Sequence, residues 1–158
     1  MKVSIDKTKC VVCGSCVAIC PECIFCKIAK GEVSSFKIYE DDNYFAFLDI
    51  SNFTPGHTLV IPKKHYRFVW DVENIEGYFK VVQKIANHFR NNLKYTYVDT
   101  LIFGRMVPHA HVHVVPHNHD SEDWKNALKG IGELQRSDST RRLCKEDGER
   151  IAEKFRID

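Results

Sequence analysis

The amino-acid sequence predicts an α+β fold in which a mostly antiparallel sheet packs with one long helix. Apolar residues recur at helical spacing over residues 74–93, which indicates a single amphipathic helix. Short apolar stretches bounded by turn residues lie on both sides of that helix, and such stretches are typical of paired strands. Strands, one long helix and further strands together favour an α+β domain over a parallel α/β domain.

The predicted elements follow one another in a simple order. A short helix over residues 23–30 is stopped by Gly31, and the Pro55–Gly56 turn precedes a strand that leads toward the long helix. The five predicted strands are residues 36–40, 44–49, 57–62, 95–103 and 111–116. These elements form one segment, 23–119, which lies between a Cys-rich segment, 1–22, and a charged helical tail, 120–158. Within that tail, residues 125–128 and 146–155 are predicted as helices.

The composition excludes some classes of function. The chain has 158 residues and a formal net charge of +2, whereas a nucleic-acid groove requires a strongly basic face. No stretch reaches the roughly 18–20 apolar residues of a membrane helix. The apolar run over residues 11–20 is interrupted by Gly14 and Ser15, unlike a signal peptide. We therefore expect a cytoplasmic protein with neither nucleic acid nor membrane as its partner.

The strongest local signal is an alternation of histidine with apolar residues at His109, His111 and His113. Residues two apart share a face of a strand, so the three imidazoles are expected on one face, with Ala110, Val112 and Val114 directed into the core. Imidazole near neutral pH is a nucleophile, a hydrogen-bond acceptor or a metal ligand. The triplet alone therefore leaves catalysis, a metal site or an incidental surface row of histidines open.

A second stretch, PGHTLVIPKKH over residues 55–65, narrows these alternatives. Together with the alternating histidines it resembles the histidine-triad superfamily, whose hallmark is His-φ-His-φ-His-φ-φ with φ apolar. Residues 23–32 and 39–50 resemble other blocks of that superfamily in the same order, so the resemblance covers about residues 23–119. It implies the histidine-triad fold.

The resemblance implies a reaction and the residues that perform it. His111 matches the nucleophile, which attacks the α-phosphorus of a nucleotide and forms a nucleotidyl-histidine intermediate that water resolves. His113 matches the residue that hydrogen-bonds the phosphate or leaving group, and His57 and His109 match supporting histidines. The substrates implied are nucleoside phosphoramidates or dinucleoside polyphosphates.

The resemblance also implies a site for a purine nucleotide. Asp49 matches the carboxylate that accepts both ribose hydroxyls. The apolar pocket around the base would comprise Ile24, Phe25, Ile28, Phe47, Ile50 and Leu59. For Ile28 and Leu59, a place in the core is an alternative interpretation. Members of the superfamily usually pair as homodimers through the long helix and the following strand.

The approach to the triad departs from the best-known branches. Residues 103–108 read FGRMVP and lack the side-chain amide and hydroxyl that assist the leaving group there. Arg105 is a candidate substitute because a guanidinium suits phosphate, and a solvated turn residue is the alternative. The departure bears on rate and leaving-group preference rather than on the fold.

Two sets of cysteines suggest metal sites. The resemblance implies a structural zinc site made of Cys23, Cys26, His65 and His109, and the alternative is that these cysteines are small buried apolar residues. The other set has the spacing of the bacterial ferredoxin run: Cys10, Cys13, Cys16 and Cys20, followed by Pro21. A [4Fe–4S] cluster on the first three would need a fourth thiolate from Cys20, Cys23, Cys26 or Cys144. Zinc or no metal at all are the alternatives.

Three functions therefore compete. The leading hypothesis is a nucleotide hydrolase or nucleotidyl transferase with His111 as nucleophile. The second is an iron–sulfur or zinc-binding redox or sensor module. In this case the Cys-rich segment performs the function, and the histidine-triad domain only binds nucleotide. The third is a zinc-stabilised interaction domain, which predicts no turnover of any nucleotide.

Overall fold

The computed structural model describes residues 23–50, 53–104, 107–119, 121–134 and 155–156. It confirms the α+β fold, with a five-stranded sheet in the order β1-β2-β3-β5-β4 and antiparallel pairing throughout. The elements in chain order are α1 (Ile24–Ala29), β1 (Lys37–Glu40), β2 (Tyr44–Leu48), β3 (Thr58–Pro62), α2 (Ile75–Asn91), β4 (Tyr97–Leu101), β5 (Val112–His117) and α3 (Glu122–Leu134).

The long helix α2 covers one face of the sheet. Its N-terminus is capped by Asn74, whose side-chain oxygen accepts a hydrogen bond from the Gly77 N–H at 2.9 Å. Fully buried Tyr78 donates its hydroxyl to the Val60 carbonyl at 2.6 Å, which joins the helix to β3. The rest of this core is apolar and includes Val81, Val82, Ile85, Phe89, Ala110, Val112 and Val114.

The opposite face of the sheet carries a second, smaller core against α1. Because side chains alternate along a strand, β2 directs Tyr44 and Ala46 toward α2 and Phe45 and Phe47 toward α1. Residues of α1 and β3 complete this second core, namely Phe25, Ile28, Leu59 and Ile61. The site described below lies on this face, with α1 at its edge.

Most predicted elements are found within a few residues of their expected ends. The predicted strand at 111–116 begins one residue later, at Val112, and the helix predicted at 125–128 extends over Glu122–Leu134. A 3₁₀ turn at Val69–Asp71 was not predicted. The Cys-rich segment, Arg105, Cys144 and residues 146–154 lie outside the described residues. Among the described helices, none has the length and apolar character needed to cross a bilayer.

Candidate active site

The three histidines of the motif lie partly in the turn before β5 and partly in β5 itself. The prediction that a single strand carries all three imidazoles is wrong for the first two, because His109 and His111 precede β5. The His109 N–H bonds the Val107 carbonyl at 2.8 Å, and the Ala110 N–H bonds the Tyr66 carbonyl at 2.7 Å. Of the three histidines, only His113 lies in β5, which pairs with β3 on one side and with β4 on the other. The rings of His111 and His113 remain neighbours, with centroids 5.1 Å apart.

His111 is held with one ring nitrogen available. Its Nδ1–H donates to the carbonyl oxygen of His109 at 2.6 Å, so the lone pair of the neutral ring is on Nε2. Burial lowers the pKa of His111 below its ordinary value, which favours the neutral ring. The edge of the Phe25 ring contacts it, with centroids 5.4 Å apart. A buried neutral imidazole oriented in this way suits nucleophilic attack.

A chain of hydrogen bonds assigns the protons of His57 and His113. The Phe53 backbone N–H donates to His57 Nδ1 at 3.1 Å, so His57 carries its proton on Nε2. His57 Nε2–H then donates to His113 Nδ1, 2.9 Å away. The proton of His113 is therefore on Nε2, and this buried atom has no hydrogen-bond partner among the described residues.

Electrostatics support this neutral chain. Burial, followed by the proximity of His111 and His57, lowers the pKa of His113 to about 3. Burial also lowers the pKa of His57, although the Asp49 carboxylate, 3.8 Å from His57 Nδ1, acts in the opposite direction. Asp49, His57 and His113 lie close enough to hold a metal ion. Both nitrogens of His57 are already used in hydrogen bonds, so we interpret this group as a proton-positioning chain.

The predicted nucleotide-pocket residues fall into two groups. One group is buried and consists of Phe25, Phe47, Leu59 and Ile28. In this group the ring centroids of Phe25 and Phe47 are 5.5 Å apart. Ile24 and Ile50 are instead 41% and 88% exposed, so they stand outside this cluster. Asp49 directly precedes Ile50 in the chain, and its backbone N–H bonds the His57 carbonyl at 2.9 Å.

Sequence reasoning missed three residues near the histidines. Phe53 stacks on His57 with ring centroids 4.9 Å apart, and Phe103 meets His113 edge-on at 5.3 Å. Arg67 donates from Nη1 to the Gly104 carbonyl at 2.8 Å. The only hint in the sequence was position, since Phe53 lies between Asp49 and His57, and Phe103 opens the approach to the triad.

The four predicted zinc ligands come together at the N-terminal end of α1. Cys26 Sγ lies 3.0 Å from His65 Nδ1 and 3.5 Å from His109 Nδ1, and Cys23 Sγ lies 3.4 Å from the same His109 atom. In a tetrahedral zinc site with Zn–S ~2.3 Å and Zn–N ~2.1 Å, sulfur and nitrogen are about 3.6 Å apart. The group can therefore hold zinc after small adjustments.

The ring of His109 is already oriented for a metal. Its Nε2–H donates to the Pro62 carbonyl at 2.9 Å, which leaves Nδ1 directed at the two sulfur atoms. Burial lowers the pKa of His109 to about 4, so the ring is neutral, as a ligand must be. Burial, followed by the charge of Arg67, also lowers the pKa of His65. His65 Nε2 has no partner among the described residues.

Comparison with known proteins gives one consistent family. The HIT domain model matches residues 30–120. Over 101 residues the chain is 45% identical to "Protein hit" of Bacillus subtilis, covering 60% of this chain and 70% of that protein.

Solved structures agree with this match. A zinc-bound histidine-triad family protein from Mycobacterium smegmatis aligns with a TM-score of 0.60 and 31% identity, covering 74% of this chain and 98% of that one. A HIT family hydrolase from Clostridium thermocellum aligns with a TM-score of 0.56 and 29% identity, covering 65% and 96%. The chain therefore belongs to the HIT domain family, as the resemblance to histidine-triad proteins implied. This family is part of a superfamily of nucleotide-binding hydrolases and transferases.

Proposed function

We propose that this protein is a nucleotide hydrolase or nucleotidyl transferase that acts at an α-phosphorus through a covalent intermediate on His111. One observation carries the proposal: the available Nε2 of His111 lies beside the imidazole of His113, whose buried Nε2–H has no partner among the described residues. Attack by a lone pair and donation to a leaving group need these two atoms side by side.

The reaction has two displacements. His111 Nε2 forms a bond to the α-phosphorus while the bond to the leaving group breaks and the leaving group keeps the electron pair. His113 Nε2–H donates a hydrogen bond to the leaving atom, where negative charge develops, and solvent supplies the proton that it finally takes. Water or another acceptor then attacks phosphorus and releases its proton to solvent, while the P–N bond breaks and its electron pair returns to His111 Nε2. The role of His57 is to hold the proton of His113 on Nε2.

The nucleotide is proposed to bind across the buried aromatic cluster and the exposed side chains beside it. The purine would contact Phe25, Phe47 and Leu59, and it would cover Ile24 and Ile50, which are exposed without it. Asp49 would accept the ribose hydroxyls, because a carboxylate accepts two such donors. Nucleoside phosphoramidates and dinucleoside polyphosphates are the proposed substrate classes.

Zinc is proposed to bind Cys23, Cys26, His65 and His109, where two of the three sulfur–nitrogen distances are close to those around a tetrahedral ion and the third is shorter. With four protein ligands and no open position, the ion would be structural: it would join α1 to β3 and to the turn before β5. The relative from Mycobacterium smegmatis described as zinc-bound supports this proposal. The iron–sulfur cluster stays a prediction, because Cys10, Cys13, Cys16 and Cys20 lie outside the described residues.

A homodimer is also proposed, through the outer edge of β4 and the exposed side of α2. β4 is the last strand of the sheet, so one side of its backbone is available to pair with a second copy. Tyr97 on β4 and Leu93 after α2 are both about half-exposed. Mass measurement in solution by light scattering tests this pairing.

The experiment that tests the reaction compares wild type with His111→Ala. Both receive adenosine phosphoramidate and diadenosine tetraphosphate, and release of adenosine nucleotide is measured. His88→Ala is the matched control, because His88 is exposed on α2 and takes no part in the site. We expect turnover by wild type and His88→Ala only, while His111→Ala still binds AMP. Wild-type rates in His111→Ala would refute the assignment of His111 as the nucleophile. No turnover by wild type would refute the proposal that the protein is an enzyme.

A further inference from the structure

The segment that follows the zinc ligand His65 runs beside the histidine row. The Tyr66 carbonyl accepts the Ala110 N–H at 2.7 Å, so the backbone of residues 66 and 67 is next to that of the nucleophile. Arg67 then donates from Nη1 to the Gly104 carbonyl at 2.8 Å, and its guanidinium carbon lies 4.5 Å from the centre of the Phe68 ring. These contacts fix a partly buried arginine between His65 and the approach to the triad.

Arg67 lies next to the approach to the histidines. Gly104, whose carbonyl accepts the Arg67 bond, directly follows Phe103, and the Phe103 ring contacts His113 edge-on with centroids 5.3 Å apart. Asp49 places a carboxylate beside these histidines, 3.8 Å from His57 Nδ1. An anionic phosphate that enters this site needs a cation to offset the repulsion from that carboxylate.

We infer that Arg67 is the cationic contact of the α-phosphate, held in place by its bond to Gly104. A guanidinium has five N–H donors, and the Gly104 carbonyl uses one of them. The remaining donors can meet the non-bridging oxygens, whose negative charge is kept or increased during displacement at phosphorus. The inference rests on the proposed function, and it assigns to Arg67 a role that the sequence offered to Arg105.

The test measures binding, so it does not depend on turnover. Calorimetry with the zinc-loaded protein gives the affinities of AMP and of adenosine for wild type, Arg67→Met and Arg67→Lys. Adenosine lacks the phosphate and therefore reports the base and ribose contacts alone. Lys64→Met is the matched control: Lys64 is a neighbouring cation, but it is exposed and pairs with Glu73 at 2.7 Å.

Arg67→Met is expected to weaken AMP binding by about tenfold to a hundredfold, the usual range for a charge-assisted hydrogen bond, while adenosine affinity changes less than about twofold. Arg67→Lys is expected to recover part of the loss, and Lys64→Met to bind AMP like wild type. Unchanged AMP affinity in Arg67→Met would overturn the inference. An equal loss for AMP and adenosine would also overturn it, because it would mean that Arg67 only supports the turn at Gly104.

Failure of the proposed function gives a different result from failure of this inference. If wild type turns over no nucleotide but Arg67→Met loses AMP affinity selectively, the contact between Arg67 and the phosphate is supported and the proposed enzymatic function is refuted. If wild type turns over nucleotide and Arg67→Met keeps both its AMP affinity and its kcat/KM, the enzyme stands and the phosphate contact does not.

Discussion

Replacing His57 by Leu tests the proton arrangement on which the proposed reaction depends. His57 is almost fully buried, and its Nε2–H is the donor that the structure gives to His113 Nδ1, at 2.9 Å. Without that donor, His113 can shift its proton to Nδ1 and present a lone pair to the leaving group in place of an N–H. A buried acceptor that loses its partner costs about 1–3 kcal/mol. If the cost falls on the transition state, kcat decreases by about 5-fold to 150-fold.

The assay is steady-state kinetics with adenosine phosphoramidate, with zinc content and the midpoint of thermal unfolding measured on the same samples. We expect His57→Leu to lower kcat and to leave KM within about threefold, because the contacts of the base and ribose are not removed. His57→Gln is the matched variant, since an amide N–H can take the place of the Nε2–H donor. It should recover much of the lost kcat. Equal kcat values for His57→Leu and His57→Gln at equal zinc content would refute the reasoning.

Three further predictions concern the metal, the ribose contact and the core. Cys26→Ser should lower bound zinc and the midpoint of thermal unfolding together, and a chelator should lower that midpoint in wild type but not in the variant; unchanged zinc by elemental analysis would exclude Cys26 as a ligand. Asp49→Ala should abolish a roughly tenfold preference for AMP over 2′-deoxy-AMP in calorimetry, and retention of the preference would exclude Asp49 as the ribose acceptor. Tyr78→Phe should reduce the free energy of unfolding in urea by about 1–3 kcal/mol, because it leaves the buried Val60 carbonyl without its 2.6 Å hydrogen bond; an unchanged midpoint would show that this bond adds no stability.

The sequence predicted the fold well where a regular pattern extends through a whole element. The apolar spacing over residues 74–93 gave α2 to within two residues at each end, because one face of that helix is buried along its length. The alternation of histidine with apolar residues over 109–114 was less informative about where β5 begins. The His109 N–H bonds the nearby Val107 carbonyl, and the Ala110 N–H bonds the carbonyl of Tyr66, forty-four residues away, so the first part of the row lies outside the sheet. No local pattern encodes so distant a partner as Tyr66.

The same limit applies to the site. Residues that belong to a recurrent motif, such as His57 and His111, could be selected from the sequence by resemblance. Phe53 and Arg67 could not, because one acts through its backbone N–H and the other through a contact with Gly104, thirty-seven positions away. Their importance depends on tertiary placement, which residue type and spacing do not specify.

The arrangement of His109 connects the proposed metal site to the proposed nucleophile, His111. One residue directs Nδ1 at the two cysteines, donates from Nε2 to the Pro62 carbonyl, and offers its own carbonyl to His111 Nδ1. The groups that fix the proton of the nucleophile and the groups that can hold zinc are therefore parts of the same backbone unit. A shift of the His109 ring would move its carbonyl and weaken the 2.6 Å bond that keeps the lone pair of His111 on Nε2. A site that we propose to be structural would in this way still control how well the nucleophile is oriented, although it lies outside the chemistry at phosphorus.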